Sequence, residues 1–511
     1  METASARDFD LIVLGGGPGG ATLAAFTAMQ GHRVLLLERE KFPRHQIGES
    51  LLPATVHGIC RLLGINDELE RQNFPVKRGG TFRWGKKTAP WTFTFSNSPN
   101  SPTGTAYQVE RMKFDTILLN NARSRGVDVR EQHMATRLLC DKNRVVGVAY
   151  TNSGGGELTA TARYVVDAGG NRSCFHKYCG ERVFSRFFQN VALYCYYENG
   201  KRLPPPDSGN VLSVAFKDGW FWYIPLSATL TSVGVVVSRE AAETIQSGPE
   251  QAMLGFIDQA PLIKEYLLGA TRVKSGPYGE YRVRKDYSYC NTRFWKSGFA
   301  LIGDAACFID PVFSSGVHLS TYSALLAARS VNTCLQGEVI SEEACFEEFE
   351  RRYRREFGNF YQFLVGFYDM QVDEESYFWR ARKIVATDER ENVAFVRLVA
   401  GLSALDEPIF GEGQEFFESR IGFGEWFERA VQSVTEPKTR SGSLDRNSSS
   451  AGFDGARFME GFASEIRQIQ LQALFGKDRG PERPLFTSNL VPSPDGLHWT
   501  VASKKKAAPL S

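Results

Sequence analysis

The sequence predicts an α/β protein in which a Rossmann-like dinucleotide-binding domain is interrupted by an inserted β-sheet domain and followed by a helical C-terminal region. Three observations predict this. Gly15, Gly17 and Gly20 form a GxGxxG between the apolar run Phe9 to Leu14 and the Ala-rich segment Ala21 to Met29, in the order strand, tight turn, helix. A second apolar run closes on Gly303 and Asp304, so the same domain is revisited late in the chain. Between them, strand-like alternation dense in aromatics fills the interval 191–237.

Taken in order, the glycine turn lets the backbone approach a pyrophosphate, and the free N–H groups at the helix start stabilise its charge. Val34 to Leu37 is the second strand, ending in Glu38, 18 residues after Gly20, where an acid can accept from a ribose 2′-hydroxyl. Met112 to Ser124 has helical periodicity. Val127 to Arg130, Thr136 to Cys140 and Val145 to Tyr150 read as strands, with Gly154 to Gly156 turning into the buried strand Tyr164 to Asp167. Thr81 to Phe95 and Val191 to Val237, the latter with Tyr194, Tyr196, Phe216, Trp220 and Trp222, suit a second sheet that forms a substrate cavity.

Ser341 to Met370 reads as one long helix. Phe346, Phe349, Tyr353, Phe357, Phe360 and Phe363 make its core stripe, and the charged run Glu347 to Glu356 is expected on a solvated face. Pro437 to Asp454 reads as a mobile linker, Phe458 to Phe475 as a helix and Lys504 to Ser511 as a frayed tail. The resulting boundaries are 1–80, 100–185 and 285–335 for the nucleotide-binding domain and 81–99 and 186–284 for the β-rich insertion. The helical region covers 336–511, with its linker at about 437–454.

Composition excludes several classes of function. A chain of 511 residues exceeds one core, and a net charge of +2 gives no reason to invoke nucleic acid. Nine cysteines, odd in number and without a CxxC, read as reduced thiols of a cytoplasmic protein. Met1 to Asp10 lacks a basic n-region and the apolar stretch after it is broken by glycines, so neither a signal peptide nor a transmembrane segment is expected. No two of the seven histidines have ligand spacing with Cys or acids, so no metal is expected.

Trp220 to Pro225 reads WFWYIP, matching WxWxIP, and Phe308, Pro311, Ser314 and Gly316 match FxxPxxSxG. Both resemble the flavin-dependent halogenases. Leu301 to Ala305 resembles the Gly-Asp motif of flavoprotein hydroxylases and halogenases, whose Asp holds the ribityl chain of FAD, so the implied fold is the FAD domain of the aromatic hydroxylase type. The resemblance runs from about Asp8 to Met370 and is most specific at WxWxIP. It implies FAD, used as FADH2, at Gly15, Gly17, Pro18, Gly20, Glu38, Arg39, Arg44, Glu49, Ser50, Arg111, Asp304 and Gly316. His45 lies in the same loop and is either a flavin neighbour or a plain loop residue. Chloride is implied at Ser315 and Gly316, where a Ser-Gly turn entering a helix offers backbone N–H groups. Trp220, Trp222, Pro225, Pro311 and Phe313 would line a substrate tunnel, the two indoles sharing one face of a strand.

Lys77, within Phe74 to Gly80, resembles the lysine essential to that family. The implied reaction starts from FADH2 and O2, which give a flavin hydroperoxide; chloride attacks its terminal oxygen and the product is hypochlorous acid. An ammonium in a dry tunnel can hydrogen-bond that species or be chlorinated by it, and then deliver electrophilic chlorine.

His45 to Pro53, Tyr287 to Thr292 and Arg351 to Phe357 look most like the chondrochloren-type halogenases. These act on phenolic or acyl groups, commonly held on a carrier protein in natural-product biosynthesis. Tryptophan-specific members carry a glutamate directly before the turn serine to help the ring lose its proton; Phe313 stands there, which argues for a phenolic substrate. Hydroxylases of the same fold reduce their flavin with NAD(P)H and carry an internal Asp-Gly motif; here the chain reads Asp167-Ala168, which implies a separate flavin reductase instead. The other readings weighed are such a hydroxylase and an inactive flavin-binding partner of a synthetase complex.

Overall fold

Val-, Leu- and Ile-rich runs covered on both faces build the first sheet. A computed structural model describes residues 7–84, 89–95, 104–337, 339–369 and 489–502. In it Phe299–Leu301, Glu157–Asp167, Phe9–Leu14, Val34–Glu38 and Asp128–Glu131 lie side by side and parallel, the core of an eight-stranded sheet. Helices cover such a sheet on its faces, so its strands carry few polar positions. The first helix spans Pro18–Ala28, three residues earlier than the Ala-rich run suggests. Gly17 caps it and Pro18 takes the first position, where a missing N–H costs nothing. It packs between the helices Arg111–Ser124 and Ser315–Gln336.

A nine-stranded sheet carries the aromatic segment. Its order is Cys307–Phe308, Arg282–Asn291, Arg182–Glu198, Leu230–Ser238, Gly219–Pro225, Val211–Phe216, Gly79–Arg83, Trp91–Thr94, with Thr271–Arg272 paired at the side of Arg182–Glu198. Three boundaries shift accordingly, the first because Gly79 and Gly80 already belong to the strand Gly79–Arg83. The expected break at 284/285 cuts through a single strand, Arg282–Asn291, whose pairing with Arg182–Glu198 keeps it in this sheet; 182–185 belong here too. Both faces are buried: Trp220, Trp222 and Ile224 face one core, while Phe221 and Tyr223 pack with Met253 and Phe256 of the helix Pro249–Asp258. Alternation therefore sorts aromatics between two interiors rather than between core and water.

The helix Glu342–Asp369 buries Phe346, Phe349, Tyr353, Phe357 and Phe360 as expected, each contributing about 1.5–3 kcal/mol. Its charged run is a correction: Glu348, Glu350, Arg352, Arg354 and Glu356 are all buried. Ion pairs Arg352–Glu348 and Arg354–Glu350, bonds from Arg354 to the carbonyls of Asn291 and Thr292, and the contact of Glu356 with His318 Nε2 at 2.8 Å satisfy these groups. Arg352 also reaches the carbonyl of Leu490, in a hairpin of Leu490–Pro492 and Trp499–Val501 that covers this side of the helix. The expected linker at 437–454, the helix Phe458 to Phe475, the tail from Lys504 and the side chain of Phe363 lie outside the described residues. Among the described residues no helix is long and apolar enough to cross a membrane.

Candidate active site

The turn after the first strand sets the cavity's floor. Gly15 has φ +105, and a Cβ there would stand 2.6 Å from the carbonyl oxygen of Ala168. Gly20 packs the helix onto that turn, with its missing Cβ only 1.9 Å from the carbonyl oxygen of Gly15. Gly17 instead faces space, and the nearest atom to a Cβ there would be Arg44 Nη2 at 3.5 Å. Glu38 closes the second strand, buried, and accepts from the N–H of Gly16 at 2.6 Å and of Glu40 at 2.8 Å. Its carboxylate thus braces the turn, leaving only second lone pairs for a ribose.

From this turn a cavity of about 370 Å³ runs to the aromatic sheet. Gly15, Gly17, Pro18, Glu38, Arg39, Arg44, Glu49, Ser50, Arg111, Asp304, Gly316, Trp220, Trp222 and Pro311 all line it. Five expected residues do not. Gly20 is a packing contact, and Pro225 follows Ile224 onto the opposite face of its strand. Ser315 is buried in the first turn of its helix, Phe313 packs on Phe82 at 6.2 Å, and Lys77 lies one residue behind the wall.

Arg111 is buried and holds Asp115 with two guanidinium nitrogens, at 2.7 and 2.9 Å, while Nη1 donates to the carbonyl of Ile47 at 2.5 Å. Arg44 reaches the same carboxylate at 3.1 Å. Asp115 therefore fixes both arginines and the loop 44–50. The sequence reading missed it, although Arg111 and Asp115 stand at helical i,i+4 spacing. Asp304 faces Arg284, with Nη2 at 4.0 Å; burial raises its pKa against the pull of Arg284, Arg111 and Arg182. Burial likewise pushes Asp167 up to about 6, against hydrogen bonds from Ser173 and the Gly169 N–H.

These residues fit FAD. The cavity wall at Gly17 has no Cβ, and the nearest atom to where one would stand is Arg44 Nη2 at 3.5 Å, which leaves a cradle at the helix start that a phosphate would fill. Gly15 and Gly17 with the start of the Pro18–Ala28 helix suit a pyrophosphate, and Asp304, whose neighbour Gly303 shares Ser320 with Gly19 of that helix, would take the ribityl hydroxyls.

The aromatic end is a connected wall. Trp220 and Trp222 are 6.2 Å apart, Trp84 lies 6.2 Å from Trp220, and Tyr194 lies 5.9 Å from Trp222. Gly234 sits opposite Trp222 because a Cβ would come within 2.1 Å of the indole. Behind this wall Lys77, on the short strand Val76–Lys77, is 3 % exposed. Its Nζ donates to the carbonyl of Leu51 at 3.0 Å and to Ser314 Oγ at 3.4 Å, and lies 5.3 Å over the ring of Phe95. Burial alone lowers its pKa to about 7. Ser314 has φ +60 and caps the helix Ser315–Gln336 without a side-chain bond, so the first N–H groups of that helix stay open. A Cβ on Gly316 would meet nothing within 4 Å, which leaves room for a small anion.

A family model described as tryptophan halogenase matches residues 10–103 and 96–423. A tryptophan 2-halogenase of Chondromyces crocatus is 35% identical over 379 residues, 73% of this chain and 70% of that protein. A chlorinase of 1H-pyrrole-2-carbonyl peptidyl-carrier protein from Pseudomonas fluorescens is 28% identical over 392 residues, 72% of this chain and 85% of that one. Among solved structures, the myxobacterial chondrochloren halogenase CndH, a variant of FAD-dependent halogenases, is 60% identical with a TM-score of 0.75, covering 96% of this chain and 99% of that chain.

Proposed function

The chain belongs to the tryptophan-halogenase family of flavin-dependent halogenases, and from that premise we propose that it chlorinates a phenolic, tyrosyl-like ring carried on a peptidyl or acyl carrier protein. The observation that carries the chemistry is the contact of Lys77 with Ser314, which joins a buried amine to an open helix start across 237 positions of sequence. Reduced FAD, supplied by a separate reductase, provides with O2 the oxidising power that turns chloride into electrophilic chlorine. Everything else is done by the chain.

Ser315 and Gly316 would hold chloride on backbone N–H groups. Lys77, with a pKa of about 7, offers both forms near neutral pH. As ammonium it donates a hydrogen bond to hypochlorous acid. As amine it takes the chlorine, releasing water, and returns to amine when the ring accepts it. The neighbouring indoles of Trp220 and Trp222 make an apolar wall that excludes water from this end of the cavity.

Phe313 supports a phenolic ring, because a phenol oxygen activates its own ring and needs no carboxylate there. Tethering is supported by a relative that acts on a carrier-bound acyl group. The name of another relative favours a second reading, free tryptophan.

One experiment separates these. With reductase, NADH, FAD and chloride, tyrosyl carrier protein is chlorinated, and free tyrosine is turned over about a hundredfold less efficiently. Equal turnover of free tyrosine would end the carrier reading, and preferred chlorination of tryptophan would install the second. Rapid NADPH oxidation without the reductase, with hydroxylated product, would make the enzyme a hydroxylase.

A further inference from the structure

Glu49 has so far been a wall residue, yet its carboxyl ends a chain of hydrogen bonds that leaves the cavity. Its Oε1 accepts from the hydroxyl of Tyr196 at 2.8 Å, and Tyr196 is fully buried. The Tyr196 hydroxyl lies 2.8 Å from Nε2 of His45, which is half-buried at the rim beside Tyr278. Tyr196 has one proton and gives it to Glu49, so its oxygen accepts from His45, which assigns the imidazole proton to Nε2. At the inner end Glu49 lines the cavity, with its Oε2 buried and the Ser232 hydroxyl beside the carboxyl.

We propose that His45, Tyr196 and Glu49 form a proton relay from the rim of the fold into the cofactor cavity, an inference that rests on the halogenase reading. The need for one follows from stoichiometry: ArH + Cl⁻ + FADH2 + O2 + H⁺ gives ArCl + FAD + 2 H2O. Chloride is oxidised, O2 is reduced to water, and a proton must enter on every turnover. Bulk water is a poor carrier here, because a wet cavity also lets oxidised halide escape. A side-chain chain moves the proton without admitting solvent. As Nδ1 of His45 takes a proton from the rim, the Nε2 proton passes to the Tyr196 oxygen and the Tyr196 proton to Glu49, so the imidazole stays neutral and only changes tautomer.

The electrostatics suit transfer rather than storage. Burial pushes Glu49 up to about 7, opposed by the hydrogen bonds of Ser232 and then Tyr196 and by Arg111, and reinforced by Glu110. Burial, then Arg282, Arg111 and Arg44, hold His45 down at about 4, so it stays neutral. Tyr194 and Tyr278 are its ring neighbours, and Tyr278 donates to Glu110 at 2.9 Å. A purely structural carboxyl at position 49 would serve as well as an amide.

The test uses the full chain and Tyr196→Phe, which keeps the ring packed on Tyr278 at 4.6 Å and removes only the hydroxyl. FAD affinity, read by flavin fluorescence, is expected to stay within about twofold, while kcat for chlorination falls about tenfold or more with little change in KM. In the ligand-free protein, the infrared carboxylic acid band assigned by its loss in Glu49→Gln is expected to titrate near neutral pH. In Tyr196→Phe its midpoint rises, since a donor to the carboxylate has gone. His45→Gln, which keeps a donor but cannot pass a proton, is expected to lower kcat in the same way. Wild-type kcat in Tyr196→Phe, or a Glu49 band that titrates like an ordinary glutamic acid, would overturn the relay. A wild-type protein that halogenates nothing would instead strike at the family-based reading, leaving the infrared titration to judge the relay alone.

Discussion

Lys77→Ala is expected to bind FAD and to oxidise the reduced flavin normally, yet to form halogenated product about a thousandfold more slowly or not at all. The amine joins the open start of the Ser315–Gln336 helix to the strand system beneath the aromatic wall, through Ser314 and Leu51. Its two hydrogen-bond partners, Leu51 and Ser314, are not among the residues expected to hold FAD, so loss of product with retained FAD isolates delivery of the halogen. Chlorination near the wild-type rate would remove Lys77 from the chemistry.

The same side chain leaves a thermodynamic trace. Its folded pKa of about 7 lies below the ordinary 10.5, so between those values the unfolded chain binds more protons than the native one. Stability from this group therefore rises with pH across that window, and the cost of burying the charge is fully present below about pH 7. Lys77→Met, which fills the site without a charge, is expected to gain more in Tm over wild type at about pH 6 than at about pH 9. An equal gain at both values would mean that Lys77 is not held near neutrality.

Local features were readable from the chain because their physics is local. The GxGxxG turn, the acid closing the second strand and the late Gly-Asp each need only neighbours in sequence to be recognised, and all three meet at one cavity. What resisted reading was contact between distant pieces. Lys77 and Ser314 meet because Val76–Lys77 pairs with Ala106–Tyr107 while Leu51 bonds to Tyr107, a three-way junction with no periodic signal. The Glu49–Tyr196–His45 chain joins a loop to a strand some 147 positions away.

The charged helix failed for a different reason. Alternating Glu and Arg at i,i+4 is the pattern of a solvated face, and distant pieces, among them the hairpin at 490–501, the segment 291–294 and His318, make it an interior. Sequence periodicity reports which side is apolar and says nothing of what later covers the polar side. The long strand Arg182–Glu198 misled in the same manner, since its second partner, Arg282–Asn291, arrives nearly a hundred residues later and moves a domain boundary.

Two glycines in the turn separate folding from cofactor binding, and the contrast gives the sharpest test of the cradle. Gly20→Ala is expected to lose FAD and to destabilise the protein by about 3 kcal/mol, because the new Cβ falls 1.9 Å from the backbone oxygen of Gly15 and only movement of the whole helix relieves it. The first strand and its parallel neighbours are buried around that turn, so the helix has nowhere to go. Gly17→Ala meets no such barrier: its φ is −68 and the nearest atom, on the flexible Arg44 side chain, is 3.5 Å away. Its Tm in the ligand-free protein is expected to stay within about 2 °C of wild type. FAD affinity should nevertheless fall about tenfold or more, because the added methyl occupies the line along which the backbone approaches the pyrophosphate. Differential scanning calorimetry of ligand-free protein and FAD titration followed by fluorescence read the two effects independently. Wild-type FAD affinity in Gly17→Ala would place the pyrophosphate elsewhere in the cavity, and an unchanged Tm in Gly20→Ala would show that the helix is free to shift.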